Sequence, residues 1–352
     1  MKIKKHLILG LSLVMLAFSC SNDNDNIQTE ASGAYEDGIL ITNEGNYSQG
    51  NGSVSFVSTD FSYAENTIFS NVNGKLLGDT VQSIEFYEDL AFIIVNNSQK
   101  IEVVNRYTFK SVATIDSGLN NPRYMTVLLG KGYVTNWGDG SDPSDDYVAV
   151  IDLNTFAITT TISVEEGPER IVSNATTAYV AHKGGYGQNN IVSVIDANAT
   201  VLKTITVGDV PNSMAFDNLG QLYVLAEGKP SWTQDETAGK LSVIDPTNNT
   251  VISSLDFAID QHPTNLTYGE SLYYYMSGKV YKYDVDSTNL PSTAVIEGVN
   301  FNYMTVNNGV LYGVDAGDYT NNGIFKSYDL ATYTAKNSKE VGIIPGGIYF
   351  NN

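Results

Sequence analysis

Residues 130–162 read GKGYVTNWGDGSDPSDDYVAVIDLNTFAITTTI, and this stretch contains the pattern that decides the fold. An apolar segment ends at Asn136, a polar loop follows, and a second apolar segment runs from Tyr147 to Asp152 before an Asn-Thr turn. Short alternating apolar segments bounded by turn residues are typical of β-strands. The stretch therefore predicts three consecutive strands, joined by one long polar loop and one tight turn.

The same arrangement recurs with a period of about 40 to 45 residues, which is typical of repeat folds. Each unit opens with a short strand, which in most units begins at a proline. Three strands follow: one rich in Tyr or Val, one ending near Val-Ile-Asp, and one containing Thr. Proline suits an innermost strand, where its missing N–H costs no ladder hydrogen bond. Four strands per period predict the blades of a β-propeller. The opening positions are Val81, Pro122, Pro168, Pro211, Pro263, Phe301 and Pro345.

The two ends of the repeat region complement each other. Residues 38–69 supply three strands but lack the opening strand, whereas residues 345–350 supply only that strand. Joining them completes one blade and leaves no free sheet edge. We therefore predict an all-β, seven-bladed propeller of four-stranded blades over residues 38–352, closed by a C-terminal strand that completes the first blade.

The residues Tyr133-Val134-Thr135-Asn136 resemble the repeat of the YVTN family of β-propellers, and residues 178–216 follow the same strand, Val-Ile-Asp, Thr-Ile-Val-Gly and Pro order. The resemblance covers nearly all of residues 38–350 and implies the propeller fold. It implies little about activity, because one scaffold hosts many functions.

The N-terminal region predicts an exported protein. Residues 1–19 place three lysines before an apolar run, as in a signal peptide. Cys20 is the only cysteine, so no disulfide can form within the chain. The segment LAFSC resembles a bacterial lipoprotein signal and implies lipidation of Cys20; the alternative is an incidental cysteine. We expect residues 20–37 to form a polar tether, whose acidic start resembles the surface-export signal of Bacteroides-like lipoproteins.

The charge of the chain excludes some partners. Removal of residues 1–19 takes away three of the 19 basic residues and none of the 39 acidic ones, which leaves a formal charge of −23. Such a surface repels nucleic acid phosphates and anionic lipid headgroups. We therefore expect no nucleic-acid partner and no membrane contact beyond the lipid anchor.

The long loops predict the position of a binding site. In an antiparallel blade, loops between the second and third strands lie on the same face as loops that enter the next blade, which we call the top face. Five of these loops are long and irregular, starting near Glu44, Asn136, His182, Glu227 and Asp315. Such loops on a rigid scaffold commonly carry binding residues, so we predict a ligand site on the top face.

Nine residues are the candidate ligand-binding residues. Aromatic side chains with a polar group suit a surface that buries a ligand yet stays soluble when empty, and arginines behind the opening positions suit a carboxylate or phosphate. The alternatives are aromatics that pack onto their own blades and arginines that pair with nearby acids. The candidates are Tyr47, Arg123, Trp137, Arg170, His182, Tyr186, Trp232, Asp315 and Tyr319.

The remaining polar motifs do not indicate catalysis. We interpret Asp152, Asp196 and Asp245, which precede tight turns, as turn-capping residues. The two histidines of the mature chain lie in different blades, and no serine nucleophile motif accompanies them. We predict no catalytic residue and no cofactor.

One loop is rich in carboxylates that invite a calcium interpretation. The spacing of Asp139, Asp142, Asp145 and Asp146 matches no EF-hand loop. We interpret the loop as a solvated acidic segment and predict no metal site, with a calcium ion as the alternative.

The chain also resembles propeller lipoproteins of Bacteroides-like bacteria that sit over TonB-dependent outer-membrane transporters, some of which capture cobalamin. This resemblance implies a non-enzymatic protein, lipid-anchored in the outer membrane and exposed on the cell surface. It would bind a small-molecule nutrient such as cobalamin and pass it to the transporter. The alternatives are a lactonase-like propeller enzyme and a protein-interaction module of the cell surface.

Overall fold

The computed structural model describes residues 33–352, and in this range the strands form seven four-stranded antiparallel sheets. The predicted seven-bladed propeller is therefore confirmed. The predicted signal peptide and Cys20 lie outside the described residues. None of the helices within residues 33–352 is long and apolar enough to cross a membrane.

Blades 2 to 7 each use four consecutive strands, ordered from the innermost to the outermost. Blade 2 contains β4 (Val81–Tyr87), β5 (Leu90–Val95), β6 (Lys100–Asn105) and β7 (Ser111–Ile115). Blade 3 contains β8 (Pro122–Leu128), β9 (Lys131–Asn136), β10 (Tyr147–Asp152) and β11 (Ala157–Ser163). Blade 4 contains β12 (Pro168–Ser173), β13 (Thr177–His182), β14 (Ile191–Asp196) and β15 (Val201–Thr206).

Blade 5 contains β16 (Pro211–Phe216), β17 (Leu222–Ala226), β18 (Lys240–Asp245) and β19 (Thr250–Asp256). Blade 6 contains β20 (Thr264–Gly269), β21 (Ser271–Met276), β22 (Lys279–Tyr283) and a short β23 (Ile296–Glu297). Blade 7 contains β24 (Tyr303–Asn307), β25 (Val310–Asp315), β26 (Asn322–Asp329) and β27 (Thr334–Ile343). A short helix, α1 (Ile68–Asn73), precedes blade 2.

Blade 1 closes the ring by joining the two ends of the propeller. It contains β28 (Pro345–Asn351), β1 (Gly38–Asn43), β2 (Ser53–Ser58) and β3 (Ala64–Glu65). The pairing of β28 with β1 is antiparallel, and the buried Asn351 side chain donates hydrogen bonds to the carbonyl oxygens of Tyr35 (2.6 Å) and Arg106 (2.9 Å). The closure predicted from the complementary ends is confirmed.

The last residues of the predicted tether are part of the folded structure. Tyr35 is buried and packs edge-on against Phe56 of blade 1 and Phe109 of blade 2, with ring centroids 5.4 and 5.7 Å away. The Tyr35 backbone N–H donates to the Tyr107 carbonyl oxygen at 3.0 Å. The described part of the tether, 33–37, therefore lies against blades 1 and 2, because one aromatic side chain seals the gap between them.

Burial is greatest in the second strand of each blade, and it is lower in the innermost strand, which lines the channel. In blade 3, four consecutive residues of β10 are buried, whereas β11 is mostly exposed. The second and third strands are apolar on both faces because neighbouring blades cover both of them. One such interblade cluster joins blades 2 and 3 through Phe92, Ile94, Val134, Ala149 and Ile151.

The repeated aspartates cap turns, as predicted. The Asp152 carboxylate accepts hydrogen bonds from the backbone N–H groups of Asn154 (2.9 Å) and Thr155 (3.0 Å). Asp196 accepts from the backbone N–H groups of Asn198 and Thr200 in blade 4, and Asp245 accepts from that of Thr247 in blade 5. These carboxylates stabilise the turns opposite the top face.

The five long loops gather on the top face, because each connects the second and third strands of its blade. They span residues 44–52, 137–146, 183–190, 227–239 and 316–321. Neighbouring loops touch: the Asn46 side chain donates to the Tyr319 carbonyl oxygen, and the Tyr186 N–H donates to the Gly140 carbonyl oxygen, both at 3.2 Å. The predicted gathering of the long loops on one face is confirmed.

Candidate functional site

A polar cavity of about 490 Å³ opens at the top end of the central channel, and all seven blades contribute to its wall. We call it the mouth cavity. Its volume lies in the range of small-molecule sites. It lies on the face predicted from the loops, but most of its lining comes from the innermost strands.

The wall is built from the same position of every repeat, the residue directly after the opening position. β-bulges interrupt the register at the start of six innermost strands, at this position or next to it. A bulge re-aims side chains that would otherwise alternate across the sheet, so it turns these residues toward the channel. The seven residues are Gln82, Arg123, Glu169, Asn212, Thr264, Asn302 and Gly346.

The backbone before the innermost strands is strained. Thr80, Val210 and Ile344 have φ values of 59°, 58° and 53°. Positive φ is unfavourable for β-branched residues, so it persists only where the surroundings enforce it. The conformation recurs next to the mouth cavity in blades 1, 2 and 5.

Arg123 and Glu169 form a bidentate ion pair between blades 3 and 4. Nε of Arg123 donates to Oε2 of Glu169 at 2.9 Å, and Nη2 donates to Oε1 at 3.0 Å. The guanidinium also lies 4.1 Å from the ring of Trp137. Burial raises the pKa of the Glu169 carboxyl, but the charge and hydrogen bonds of Arg123 outweigh it, and the net pKa is below the usual value. Each charge is thus already neutralised by the other.

Arg170 differs from Arg123 because it forms no ion pair, although the charge of the neighbouring Glu169 acts on it. Its guanidinium lies 4.0 Å from the ring centroid of Tyr124 and 5.1 Å from that of Tyr303. Among residues 33–352, no side chain or carbonyl group forms a hydrogen bond or an ion pair with it. Arginine stays charged at physiological pH and carries five N–H donors. Arg170 therefore presents unused donors to the channel.

A second, smaller chamber of about 180 Å³ lies along the same channel. Arg170 and Tyr124 line both chambers, so they mark the boundary between them. Glu85 lines the second chamber, and burial raises the pKa of its carboxyl to about 8, opposed by a hydrogen bond with the Val127 backbone. At neutral pH this carboxyl is mostly protonated.

Three further charged groups line the mouth cavity: Glu44, Lys183 and Glu227. They are equivalent in the repeat, since each directly follows the second strand of its blade. Burial raises the pKa of the Glu44 carboxyl, while the charge of Arg123 opposes that change. One carboxylate oxygen of Glu227 accepts a hydrogen bond from the Asn212 side chain at 3.2 Å.

Three of the nine predicted binding residues line the mouth cavity: Arg123, Arg170 and Tyr319. The Tyr319 hydroxyl donates to the Asn302 side chain at 3.1 Å. Asp315 lies beside the cavity, where its carboxylate contacts Lys326 (3.3 Å) and accepts from the Asn300 side chain (3.2 Å).

The other loop aromatics fall into two groups. Trp137 is only 9% exposed and packs between Arg123 and Tyr186. Tyr47, Tyr186 and Trp232 are each at least 75% exposed and do not line the cavity. We call these three exposed residues the aromatic rim.

His182 requires a correction. It ends β13, is fully buried, and does not line the mouth cavity. Its Nδ1 lies 2.8 Å from the Glu165 carbonyl oxygen, and its Nε2 lies 2.9 Å from the Ser193 hydroxyl. Burial lowers the pKa of the imidazole to about 4, against weaker opposing hydrogen bonds. His182 holds blade 4 together, so we exclude it from the binding residues.

The sequence interpretation missed most of the charged wall, including Glu44, Glu169, Lys183 and Glu227. Loop length selected five aromatic residues, of which only Tyr319 lines the mouth cavity. An alignment of the repeats on their opening positions would have found Glu169, because it occupies the same place as Arg123. An alignment of the residues that follow each second strand would likewise have identified Glu44.

The acidic loop of blade 3 uses its carboxylates locally. Asp139 and Asp142 accept hydrogen bonds from Ser141 and Ser144, and Asp145 accepts from the Asp139 N–H at 2.9 Å. Burial raises the pKa of Asp146 to about 7, and a backbone hydrogen bond from Gly167 opposes the shift. Within residues 33–352, no group of three His, Cys, Asp or Glu side chains is arranged to hold a metal ion.

Comparison with known protein families identifies the domain. The family described as "Domain of unknown function (DUF5074)" matches residues 37–340. The chain belongs to the DUF5074 family. No curated protein matches the sequence. The resemblance to YVTN repeats and cobalamin-capturing lipoproteins stays a prediction.

The DUF5074 domain is similar to solved structures of low sequence identity. A quinonprotein alcohol dehydrogenase-like protein from Bacteroides thetaiotaomicron has a TM-score of 0.65 and 15% identity, over 90% of this chain and 79% of that one. A periplasmic gluconolactonase from Pseudomonas aeruginosa has a TM-score of 0.64 and 12% identity, over 89% and 98%. BamB from Moraxella catarrhalis has a TM-score of 0.53 and 11% identity, over 88% and 83%. At these identities the similarity establishes the fold alone.

Proposed function

We propose that the protein captures a small polar molecule that carries an oxyanion, a carboxylate or a phosphate, in the mouth cavity and does not transform it. The observation that carries this proposal is the unpartnered guanidinium of Arg170 at the floor of the cavity. A guanidinium binds planar oxyanions through two parallel N–H groups. An oxyanion would supply the partner that the described residues do not.

The setting of Arg170 is suited to binding. Tyr124 and Tyr303 lie against its guanidinium and fix its orientation before a ligand arrives. Preorganised side chains lose less conformational entropy on binding. Asn212, Asn265 and other amide side chains of the same wall can donate to or accept from the rest of a polar ligand.

The proposed location, transporter partner and ligand identity rest on the sequence. The predicted lipid anchor at Cys20 would hold the propeller on the outer membrane, where it would deliver its ligand to a TonB-dependent transporter. A cavity of about 490 Å³ accommodates a drug-sized molecule. Cobalamin is larger than that. A cobalamin would therefore insert one part of the molecule and rest the remainder on the aromatic rim.

Isothermal titration calorimetry of the purified protein tests the proposal. The panel contains sugar acids, sugar phosphates, amino acids and cyanocobalamin, each beside a neutral analogue where one exists. We expect a compound with an oxyanion to bind, and Arg170→Met to weaken it at least tenfold, about 1.4 kcal/mol. The exposed Lys110 provides a control, Lys110→Met, that should not change affinity. Absence of binding across the panel, or equal affinity of Arg170→Met, would contradict the proposal.

Two observations favour a second candidate, an enzyme that hydrolyses lactones. The similar Pseudomonas aeruginosa protein is a periplasmic gluconolactonase. Burial raises the pKa of Glu85 to about 8, which suits a general acid at neutral pH. Incubation with gluconolactone, with titration of the released acid, separates the two candidates. Protein-dependent hydrolysis that Glu85→Gln abolishes would favour the enzyme.

A further inference from the structure

Besides Arg170, the mouth cavity is lined by two charged groups for which residues 33–352 provide no hydrogen-bond or ion-pair partner, the Lys183 ammonium and the Glu44 carboxylate. Among residues 33–352, Glu44 forms no side-chain hydrogen bond and no ion pair, and only the more distant charges of Arg123 and Glu169 act on it. Its carboxylate lies over the innermost strand of blade 1, since a Cβ added at Gly346 would be 3.2 Å from Oε1. Glu44 thus offers free acceptor oxygens to the cavity.

Nearby basic residues do not neutralise Glu44. Arg123 is engaged by both carboxylate oxygens of Glu169 and by the face of Trp137. The other acid of equivalent position, Glu227, already accepts a hydrogen bond from Asn212. Glu44 is therefore the acid of this wall with the most unused hydrogen-bonding capacity.

Glu44 and Arg170 are attached to opposite sides of the ring, although the Arg170 guanidinium extends into the channel as far as the Tyr303 ring of blade 7. Glu44 belongs to blade 1 and Arg170 to blade 4, and in a closed ring of seven blades these two are three steps apart in one direction and four in the other. Both residues line the same cavity. A single molecule in the cavity can contact an acid on one side and a guanidinium on the other.

We propose that the ligand is a zwitterion whose ammonium group binds Glu44 and whose oxyanion binds Arg170, with the two charges separated by several bonds. This inference rests on the proposed function, in which Arg170 binds an oxyanion, and adds a positive charge on the ligand that binds Glu44. In an α-amino acid the ammonium and carboxylate groups are attached to the same carbon. An ω-amino acid or a short peptide separates these groups and can therefore contact Glu44 and Arg170 at the same time. Charge-assisted hydrogen bonds at both ends would orient such a molecule across the channel.

The experiment compares 6-aminohexanoate, hexanoate and hexylamine by calorimetry, with triglycine as a peptide probe. We expect 6-aminohexanoate or triglycine to bind at least tenfold more tightly than hexanoate, about 1.4 kcal/mol. Glu44→Gln should remove this advantage and leave hexanoate binding unchanged. Arg170→Met should weaken the binding of both 6-aminohexanoate and hexanoate. Glu270 is exposed on the opposite face, so Glu270→Gln is the matched control and should change nothing.

The outcomes distinguish the two proposals. If hexanoate binds as tightly as 6-aminohexanoate and triglycine, or if Glu44→Gln leaves the zwitterion advantage intact, the inference about Glu44 is overturned while the oxyanion site stands. If Arg170→Met has no effect on any probe, the oxyanion site itself fails. If no zwitterion binds while another oxyanion does, the zwitterionic ligand class is wrong.

Discussion

Arg123 of blade 3 holds Glu169 of blade 4 through two parallel hydrogen bonds of 2.9 and 3.0 Å. The pair joins two adjacent blades at the edge of the mouth cavity, and Trp137 covers the guanidinium. The two arginines selected from the sequence therefore have different roles. Arg123 fastens the wall, whereas Arg170 faces the cavity without an anionic partner.

The first prediction concerns this ion pair. We expect Arg123→Met to lower the free energy of unfolding by about 3 kcal/mol, because it leaves the Glu169 carboxylate buried without its partner. Urea denaturation followed by circular dichroism provides the measurement. The double variant Arg123→Met/Glu169→Leu should recover part of the loss, since it removes both charges. A double variant less stable than either single variant would contradict this explanation.

The two tryptophans give the second prediction. Trp137 is 9% exposed and Trp232 is 76% exposed. Trp137→Ala should therefore cost about 3 to 5 kcal/mol of stability, whereas Trp232→Ala should change stability by about 0.5 kcal/mol or less. Thermal melts of both variants measure the difference, and each variant is the control for the other. Similar losses would show that Trp232 also packs in solution.

The fold was predictable because its signals are local and repeated. Alternation of apolar residues marks each strand, the opening prolines mark each innermost strand, and the missing strand at the N-terminus matches the surplus strand at the C-terminus. Tyr35 was missed because its burial depends on Phe56 and Phe109, which belong to two different blades.

The site was predictable in part, since the face and two arginines emerged from loop length and repeat position. The distinction between Trp137 and Trp232 could not be predicted, because both occupy Gly-containing loops and only the contacts of Trp137 with Arg123 and Tyr186 separate them. The role of Glu44 depends on ring closure, which brings blade 1 opposite blade 4. No local pattern encodes that relationship.

The C-terminal strand gives the third prediction. Deletion of residues 345–352 removes β28 and exposes the edge of β1, together with the apolar residues of blades 1 and 7 that pack on Ile348. We expect the truncated protein to lose its cooperative thermal transition and to aggregate, since exposed strand edges pair with other chains. Deletion of the exposed Asn352 alone removes one hydrogen bond from Arg106 and should preserve the cooperative transition. A truncated protein that melts like the full chain would show that blade 1 closes without β28.

The fourth prediction is an acid-dependent loss of stability at His182. Burial lowers the pKa of this imidazole to about 4, from an ordinary value of 6.5. The folded protein therefore favours the neutral ring, and the stability from this group is present above the ordinary pKa and is lost as the pH falls toward 4. His182→Gln should flatten this part of the stability curve, measured by melting temperature across that range. His262→Gln, at a half-buried histidine, is the control; equal flattening by both variants would refute a specific effect of His182.

Glu85 should make the protein less stable in base. Burial raises the pKa of its carboxyl to about 8 from 4.5, against one opposing backbone hydrogen bond. The unfolded chain ionises this group more readily than the folded chain, so its contribution to stability is complete below the ordinary pKa and is lost as the pH rises through 8. Glu85→Gln keeps the neutral shape and cannot ionise. We expect equal melting temperatures at about pH 4 and a higher one for the variant at about pH 9. Glu270→Gln is the control and should show the same pH dependence of the melting temperature as the unmodified protein. If the unmodified protein and both variants show the same pH dependence, the Glu85 carboxyl is solvated and the explanation is wrong.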